Sequence, residues 1–352
     1  MKNDNRFMRA ALKEARKGLG KTSPNPAVGA VLVVRNRIVA RGHHRQAGSP
    51  HAEVECLRSF GGPVPKGATM YVTLEPCSSV GRTSACTSEI INANLKTIVI
   101  GAIDMNPRHA GRGVTLLRRA GIEVRVGVLA AECASLNEAF NKWILTGRPF
   151  VIAKCGMSLD GRLTRPPNEP QWITSAVARR QARRLRAFVD AILVGAETVR
   201  IDNPRLTVRG AGSANQPLRV LLTRSGRLPP RARVFTDRFA ERTLVYRDKP
   251  LRTVLYDLGR KKVTSVLIEG GGEVLGQALA ERLIDKVQIY LGSIFTGGPT
   301  IAFPGRGADS TQSAARLEQV HYERVDQSVC AVGYPKYLEG AATNFEKLSV
   351  SH

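Results

Sequence analysis

The sequence predicts two α/β domains in tandem, the first a three-layer α/β/α sandwich carrying a metal at its strand ends. Three observations lead there. The chain has 352 residues, more than the roughly 100–200 of one ordinary domain, so two cores are expected. Strand-length apolar runs alternate with segments of helical periodicity, the order that builds sheets covered by helices. The triplet His51-Ala52-Glu53 is followed, after one predicted strand, by Pro76-Cys77 and then Cys86, residue types that hold a metal and move protons.

In chain order, Asn5 to Gly18 places Phe7, Met8, Ala11, Leu12 and Ala15 at helical spacing and its basic residues elsewhere, and Gly18 and Gly20 end the helix. Thr22-Ser23-Pro24-Asn25-Pro26 is a Pro-bounded loop running into an apolar strand, Val31 to Val39; Asn25 there suits a turn that caps the loop. His51 opens a helix to Phe60, which puts Glu53 in its first turn. Gly67 to Leu74 reads as the strand that delivers Pro76-Cys77, and Cys86 opens a second helix to Ala93. Strands over Lys96 to Ile100 and Ile122 to Val126 flank a helix at Leu116 to Ala120, and Asn137 to Gly147 is a last helix. The boundary falls at Arg148-Pro149, giving domains 1–146 and 147–340 and a tail 341–352. The second domain opens on the apolar run Phe150 to Ala153. Further on, a strand Ser265 to Ile268 leads through Glu269-Gly270-Gly271-Gly272 into a helix, Val274 to Ala280. Bare amides at such a helix start suit a dinucleotide's phosphates, and tight packing explains glycines there equally well.

A net charge of +24 would suit a nucleic-acid partner, but the basic residues are spread along the chain without a basic tail or an aromatic-interleaved patch. A solvated basic surface, with an anionic small-molecule substrate as the local exception, is the expectation; no nucleic-acid partner is. No apolar run approaches the roughly 20 residues of a membrane span, and the start Met1-Lys2-Asn3-Asp4-Asn5-Arg6 has no signal-peptide core. A cytoplasmic protein without membrane contact follows, with homo-oligomer formation left open. Six cysteines are too scattered for a disulfide framework.

His51, Cys77 and Cys86, in that order, are the ligand set of a zinc deaminase. One imidazole and two thiolates hold Zn²⁺ and leave a position for water, and Glu53 is then free to carry the water's proton to departing ammonia. Nucleobase deaminases usually place the second thiolate three positions after the first; here eight residues intervene. The resulting string, Pro76-Cys77-Ser78-Ser79-Val80-Gly81-Arg82-Thr83-Ser84-Ala85-Cys86, resembles the deaminase half of the bifunctional riboflavin biosynthesis deaminase/reductases. A cytidine-deaminase-like first domain is thereby implied.

The second domain looks like the reductase half of the same family, whose α/β fold resembles dihydrofolate reductase. The strings that carry this are Gln171-Trp172-Ile173-Thr174-Ser175, Asp190 to Gly195, Asp202-Asn203-Pro204-Arg205-Leu206-Thr207-Val208-Arg209 and Leu267 to Gly272. The resemblance spans about residues 5 to 336. It implies zinc-dependent hydrolytic deamination of 2,5-diamino-6-ribosylamino-4(3H)-pyrimidinone 5′-phosphate, then reduction of its ribosyl chain to ribityl by NADPH. It places Asn25 in the deaminase pocket, and Lys154, Arg186, Leu206, Arg209 and Glu269 around the ribose phosphate, with Lys154 catalytic. Gly156, Trp172, Thr198, Asp202, Gly271, Gly272 and Glu273 fall at the NADPH site. Arg186 and Arg209 suit bidentate capture of a phosphate, although Arg179, Arg180, Arg183, Arg184 and Arg186 crowd one helix that reads as a solvated face.

The chain departs from the family pattern at Ser79, Ser84-Ala85, Met105, Pro170, Arg183 and Thr223-Arg224, where His, Pro-Pro, Pro, Ser, His and Asp-Ser are usual. The stretch from Phe235 to Glu269 reads as shorter than usual, as though one strand–helix element were trimmed. These departures support an alternative: a paralogue of the same fold, active as a deaminase but weak or idle as a reductase, serving a flavin-like secondary pathway.

Overall fold

The computed structural model describes residues 2–79, 85–163, 172–209 and 216–338. Val80, Gly81, Arg82, Thr83, Ser84, Pro170, Gln171 and the expected tail 341–352 lie outside these. The chain divides into two compact units, Met1–Arg148 and Pro149–His352, each with its own sheet.

The first unit runs α1 (Lys2–Ala15), β1 (Gly29–Val34), β2 (Arg37–His43), α2 (Ala52–Phe60), β3 (Thr69–Leu74), α3 (Cys86–Asn92), β4 (Thr97–Ala102), α4 (Arg112–Arg119), β5 (Glu123–Val126), α5 (Ala130–Leu136) and α6 (Glu138–Thr146). Its sheet has the order β2-β1-β3-β4-β5, with β3, β4 and β5 parallel and β1 antiparallel to both neighbours. The single strand expected over Val31 to Val39 is instead the hairpin β1–β2. The chain reverses at Arg35 and Asn36, whose φ values are 48° and 63°, the left-handed pair of a tight hairpin turn.

Two glycines on this hairpin show why the sheet is a middle layer. Ala30 and Gly42 are paired across β1 and β2, so they share one face and Gly29 faces the other. A Cβ on Gly29 would stand 2.1 Å from the Ala11 carbonyl of α1; one on Gly42 would stand 2.3 Å from the Cys56 amide of α2. Helices therefore lie directly on both faces. Because α2 carries Glu53 and starts beside His51, Gly42→Ala should push the site's own helix off the sheet. We expect a loss of about 1–3 kcal/mol from overpacking, read by thermal unfolding, with a lowered zinc content at saturating metal.

The second unit runs β6 (Phe150–Ser158), α7 (Ala176–Arg184), β7 (Ala191–Gly195), α8 (Ala196–Asp202), β8 (Leu218–Thr223), α9 (Arg233–Thr236), β9 (Thr243–Arg247), α10 (Leu251–Arg260), β10 (Ser265–Ile268), α11 (Gly272–Ala280), β11 (Lys286–Gly292), β12 (Arg316–Val325) and β13 (Ser328–Lys336). Eight strands take the order β12-β13-β11-β6-β10-β7-β8-β9. The neighbours from β11 to β9 are parallel, and β13 and β12 add antiparallel strands at one edge. Between Phe235 and Glu269 the chain holds one strand–helix pair, β9 and α10, and then β10. Central strands such as β7 and β10 are apolar and buried, with Ile192, Leu193, Val266 and Leu267 fully enclosed, as parallel strands covered on both faces must be. No helix among the described residues is long and apolar enough to cross a membrane.

Candidate active sites

In the first unit the three expected ligands arrive from three directions. His51 is the extended residue before α2, Cys77 follows β3, and Cys86 is the first residue of α3. His51 Nδ1 lies 3.2 Å from Cys86 Sγ and 3.5 Å from Cys77 Sγ, and the three ligand atoms all fall within 4.8 Å of one another. The Cys86 amide donates to Cys77 Sγ at 3.4 Å. The Cys86 thiol's hydrogen bond, together with His51, brings the Cys77 thiol down to about 4, while that bond and burial push the Cys86 thiol up. The pair thus holds one thiolate before any metal arrives. A soft donor set already partly deprotonated, with one imidazole, fits Zn²⁺.

Glu53 is 3% exposed. Burial pushes its carboxyl up to about 7, against the pull of His51, so at neutral pH it takes and gives a proton with little cost. A cavity of about 160 Å³ joins His51, Glu53 and Cys77 to Asn25, His44, Asp104, Asn106 and His109.

Asn25 lines this cavity and does not cap its loop. Asn137 clamps that loop, accepting from the Ala27 amide at 2.8 Å and donating to the Ala27 carbonyl at 3.0 Å. The Asn25 Nδ2 meets His44 Nε2 at 3.1 Å, and His44 Nδ1 meets the Pro50 carbonyl at 3.1 Å. Only a donor at Nδ1 satisfies a carbonyl, so Nε2 accepts from Asn25, whose Oδ1 remains an acceptor. His44, 2% exposed, also stands edge-on to His51, their centroids 5.0 Å apart.

Sequence reasoning missed His44, His109 and Glu75. The Glu75 carboxylate is buried and accepts from the amides of Asp104, Gly111 and Val114 at 3.2, 2.9 and 3.1 Å. It fastens the Asp104 loop and the start of α4 two residues from Cys77. An acid at the end of an apolar strand, just before Pro76-Cys77, was the available signal.

In the second unit, Glu269 follows directly on β10 at its carboxyl end, and Lys154, midway along the longer neighbouring parallel strand β6, lies level with it, on the side where open α/β sheets bind ligands. Glu269 accepts from Arg186 Nε and Nη2 at 2.6 and 2.7 Å, Arg186 Nη1 donates to the Thr207 carbonyl at 3.1 Å, and Lys154 Nζ is 3.9 Å from Glu269. Burial alone would raise the Glu269 carboxyl, but Lys154 and Arg186 outweigh it and hold it below its ordinary value. Arg186 is therefore no part of a solvated face: it holds Glu269. Burial, and then Arg209, Arg179 and Arg186, push the Arg183 guanidinium down, so cations gather where the resemblance puts a phosphate. Arg209 is exposed, and Leu206, with φ 51°, buries its side chain in the core.

The glycines after Glu269 have separate roles. Gly270 and Gly271 have φ values of 150° and 78°, and a Cβ on either would stand 3.6 Å from Thr198 Oγ1 of α8, so this turn and Thr198 share one recess. Gly272 instead makes room for a neighbour: a Cβ there would stand 2.3 Å from the Ile301 carbonyl. Glu273 is exposed in the first turn of α11, and Asp202 is exposed at the end of α8. Trp172, 58% exposed, carries the Arg179 guanidinium 4.8 Å above its ring. On β6, a Cβ on Gly156 would stand 3.3 Å from Thr174 Cγ2.

A metal-ligating deaminase pocket on one unit and an open α/β sheet ending in a Gly-rich cradle on the other define a two-domain deaminase/reductase. Residues 1–102 match the cytidine and deoxycytidylate deaminase zinc-binding region, and residues 149–331 match the RibD C-terminal domain. The riboflavin biosynthesis protein RibD of Synechocystis is 38% identical over 95% of this chain and 97% of its own length, and that of Escherichia coli is 38% identical over 82% and 87%. Two solved structures at 35% identity each cover 95% of this chain and 99% of their own. Acinetobacter baumannii RibD superposes with a TM-score of 0.86, and a Thermotoga maritima diaminohydroxyphosphoribosylaminopyrimidine deaminase/5-amino-6-(5-phosphoribosylamino)uracil reductase with 0.87. The chain belongs to the RibD family of bifunctional riboflavin biosynthesis deaminase/reductases.

Proposed function

We propose that the first unit hydrolytically deaminates 2,5-diamino-6-ribosylamino-4(3H)-pyrimidinone 5′-phosphate and that the second reduces the product's ribosyl chain to ribityl with NADPH. The observation that carries the first step is the His51, Cys77 and Cys86 cluster sharing one cavity with a buried carboxyl that titrates near neutrality.

In the deaminase, His51, Cys77 and Cys86 would hold zinc, which supplies the lowered water pKa that makes a nucleophile available at neutral pH. Glu53 takes the proton of the attacking water and passes it to the leaving amine, so ammonia departs and the carboxyl returns to its starting state. Asn25, held by His44, offers Oδ1 to a ring N–H and fixes the ring's orientation. In the reductase, NADPH supplies the hydride to C1′ of the sugar. As the C1′–O4′ bond opens, Lys154 gives O4′ its proton, and Glu269 holds Lys154 and the sugar hydroxyls in place. Arg209 and Arg183 attract the 5′-phosphate. The recess of Gly270, Gly271 and Thr198, with Trp172, Gly156 and Asp202, takes the cofactor. Lys154, Glu269 and Arg186 are in place together, which favours a working reductase over an idle one.

The test follows ammonia release and NADPH oxidation separately on the diaminopyrimidinone ribotide. Both should proceed. Chelation of zinc, or Cys77→Ser, should drop bound zinc well below one per chain and abolish ammonia release, while NADPH oxidation on pre-deaminated substrate continues. Ammonia release that survives complete loss of zinc overturns the metal reading, and ammonia without NADPH consumption restores the idle-reductase alternative.

A further inference from the structure

Glu75 stands between the zinc ligands and the opposite wall of the deaminase pocket. It follows β3 directly and precedes Pro76-Cys77. We propose that Glu75 is a positioning residue of the deaminase: its carboxylate holds the stretch from Asp104 to Gly111 at a fixed place relative to the zinc ligands, and thereby sets how tightly that stretch grips the substrate's ring.

One oxygen carries most of this. Oε2 accepts from the amides of Asp104 and Gly111 at 3.2 and 2.9 Å, so a single atom draws together the two ends of the stretch. Oε1 takes the Val114 amide in the first turn of α4 at 3.1 Å, and the Glu75 amide itself donates to the Ala102 carbonyl at the end of β4 at 2.9 Å. A close approach locks the same joint. A Cβ on Gly113 would stand 2.2 Å from the Pro76 carbonyl, so α4 begins with bare backbone against the residue before Cys77. Within the stretch, the Asn106 amide donates to Asp104 Oδ1 at 2.8 Å and the His109 amide to the Asn106 carbonyl at 2.8 Å. Those bonds fix the loop's shape; the Glu75 bonds fix where that shape stands against Cys77.

The chemistry of the residue argues for more than packing. Glu75 is buried and, among the described residues, has no cationic partner. A lone carboxylate is costly to bury, and three converging amides are what make it tolerable. The loop it holds has two sides. Met105, Pro107, Arg108 and Ala110 are exposed, while Asp104, Asn106 and His109 line the cavity shared with His51 and Glu53. The cavity side also keeps an unpaired group, because His109 Nδ1 is buried and has no hydrogen-bond partner among the described residues. Buried polar atoms in native proteins are satisfied, so a bound molecule is expected to meet this loop. A ring presented to a fixed nucleophile tolerates little error, a displacement of about 1 Å costing about 10²-fold.

The proposal rests on the deaminase reading, and its test separates the two. Ammonia release from the ribotide is measured on the zinc-loaded full chain for the native protein, Glu75→Leu and Glu75→Gln, alongside zinc per chain and NADPH oxidation on pre-deaminated substrate. Leucine keeps the bulk and accepts nothing, so KM should rise by about 10- to 10²-fold with kcat within about threefold, zinc near one per chain and reduction unchanged. Glutamine restores an acceptor for both loop ends and leaves only the Val114 amide without one, so it should recover most of the loss, with KM about two- to fivefold above native. An unchanged KM in the leucine variant, or a KM that rises only as zinc is lost, overturns the proposal. Should the leucine variant fail to fold, Glu75→Gln decides by itself, a native KM counting against the proposal. Amide hydrogen exchange reads the loop without catalysis. The Asp104 and Gly111 amides should be protected in the native protein and exchange at least tenfold faster in Glu75→Leu, whereas in Glu75→Gln only Val114 should quicken. If native protein releases no ammonia, the deaminase reading fails while exchange still decides whether Glu75 holds the loop. Equal exchange in all three proteins overturns that role.

Discussion

Glu53→Gln should abolish ammonia release, by about 10³-fold in kcat given what a positioned general acid–base contributes, and should leave reduction of pre-deaminated substrate intact. The Gln side chain is nearly isosteric, so cavity and ligands stay in place and only the proton carrier is lost. A second readout distinguishes this from local damage, because the same change should stabilise the metal-free protein. Burial raises the Glu53 carboxyl to about 7, above its unfolded value, so the folded state binds the extra proton and stability falls as pH rises between them. Below about pH 4.5 both states are protonated and the native carboxyl costs nothing; above about pH 7 the full cost is present. The variant's gain should therefore be small near pH 4.5, grow through neutrality and level off at about 3 kcal/mol near pH 8, measured by chemical unfolding with chelator present. A variant that loses activity and stability together at pH 8 would mark Glu53 as structural.

The zinc ligands were legible because chemistry restricts them to few residue types in a fixed order. His51, Cys77 and Cys86 converge as expected, although His51 lies 26 positions before Cys77 and 35 before Cys86. His44 and His109 were not legible, since each acts through a carbonyl or a cavity supplied by another part of the chain; Glu75 left only its place before Pro76-Cys77 as a signal, and its partners are remote amides. The β1–β2 hairpin was hidden by its composition. Its turn is Arg35-Asn36, without glycine, inside an apolar run, and only the backbone angles reveal it. Helix α5 was overlooked, being short and rich in small residues. The arginines of α7 and the turn after it show the opposite failure. Read as a row they suggest solvent, yet Arg186 is nearly enclosed and paired, because a helix face is chosen by what packs against it. Likewise Gly270 to Gly272 read as one phosphate motif, and only the Ile301 carbonyl against Gly272 separates packing from cradle.

Glu269→Gln should do to the second unit what Glu53→Gln does to the first, with the opposite sign in stability. Glu269 is a buried anion between Arg186 and Lys154, with side-chain exposures of 7%, 11% and 17%. An amide of the same shape leaves two cations facing each other without their counter-ion, and breaking a buried pair in this way costs about 3–5 kcal/mol. The carboxyl's value is held below normal, so its contribution is present above the unfolded value near 4.5 and is lost as pH falls through the folded value. The deficit of the variant should therefore be full at neutral pH and shrink in acid, the reverse of the Glu53 profile. NADPH-dependent reduction should fall by about 10²-fold or more, because Lys154 loses the group that orients it, while ammonia release persists. Arg186→Met/Glu269→Leu removes both charges and should recover most of the stability but none of the reduction. That split requires Glu269 to serve the chemistry as well as the fold; if the double variant regained reductase activity, the carboxylate would be a counter-ion for Arg186 and nothing more.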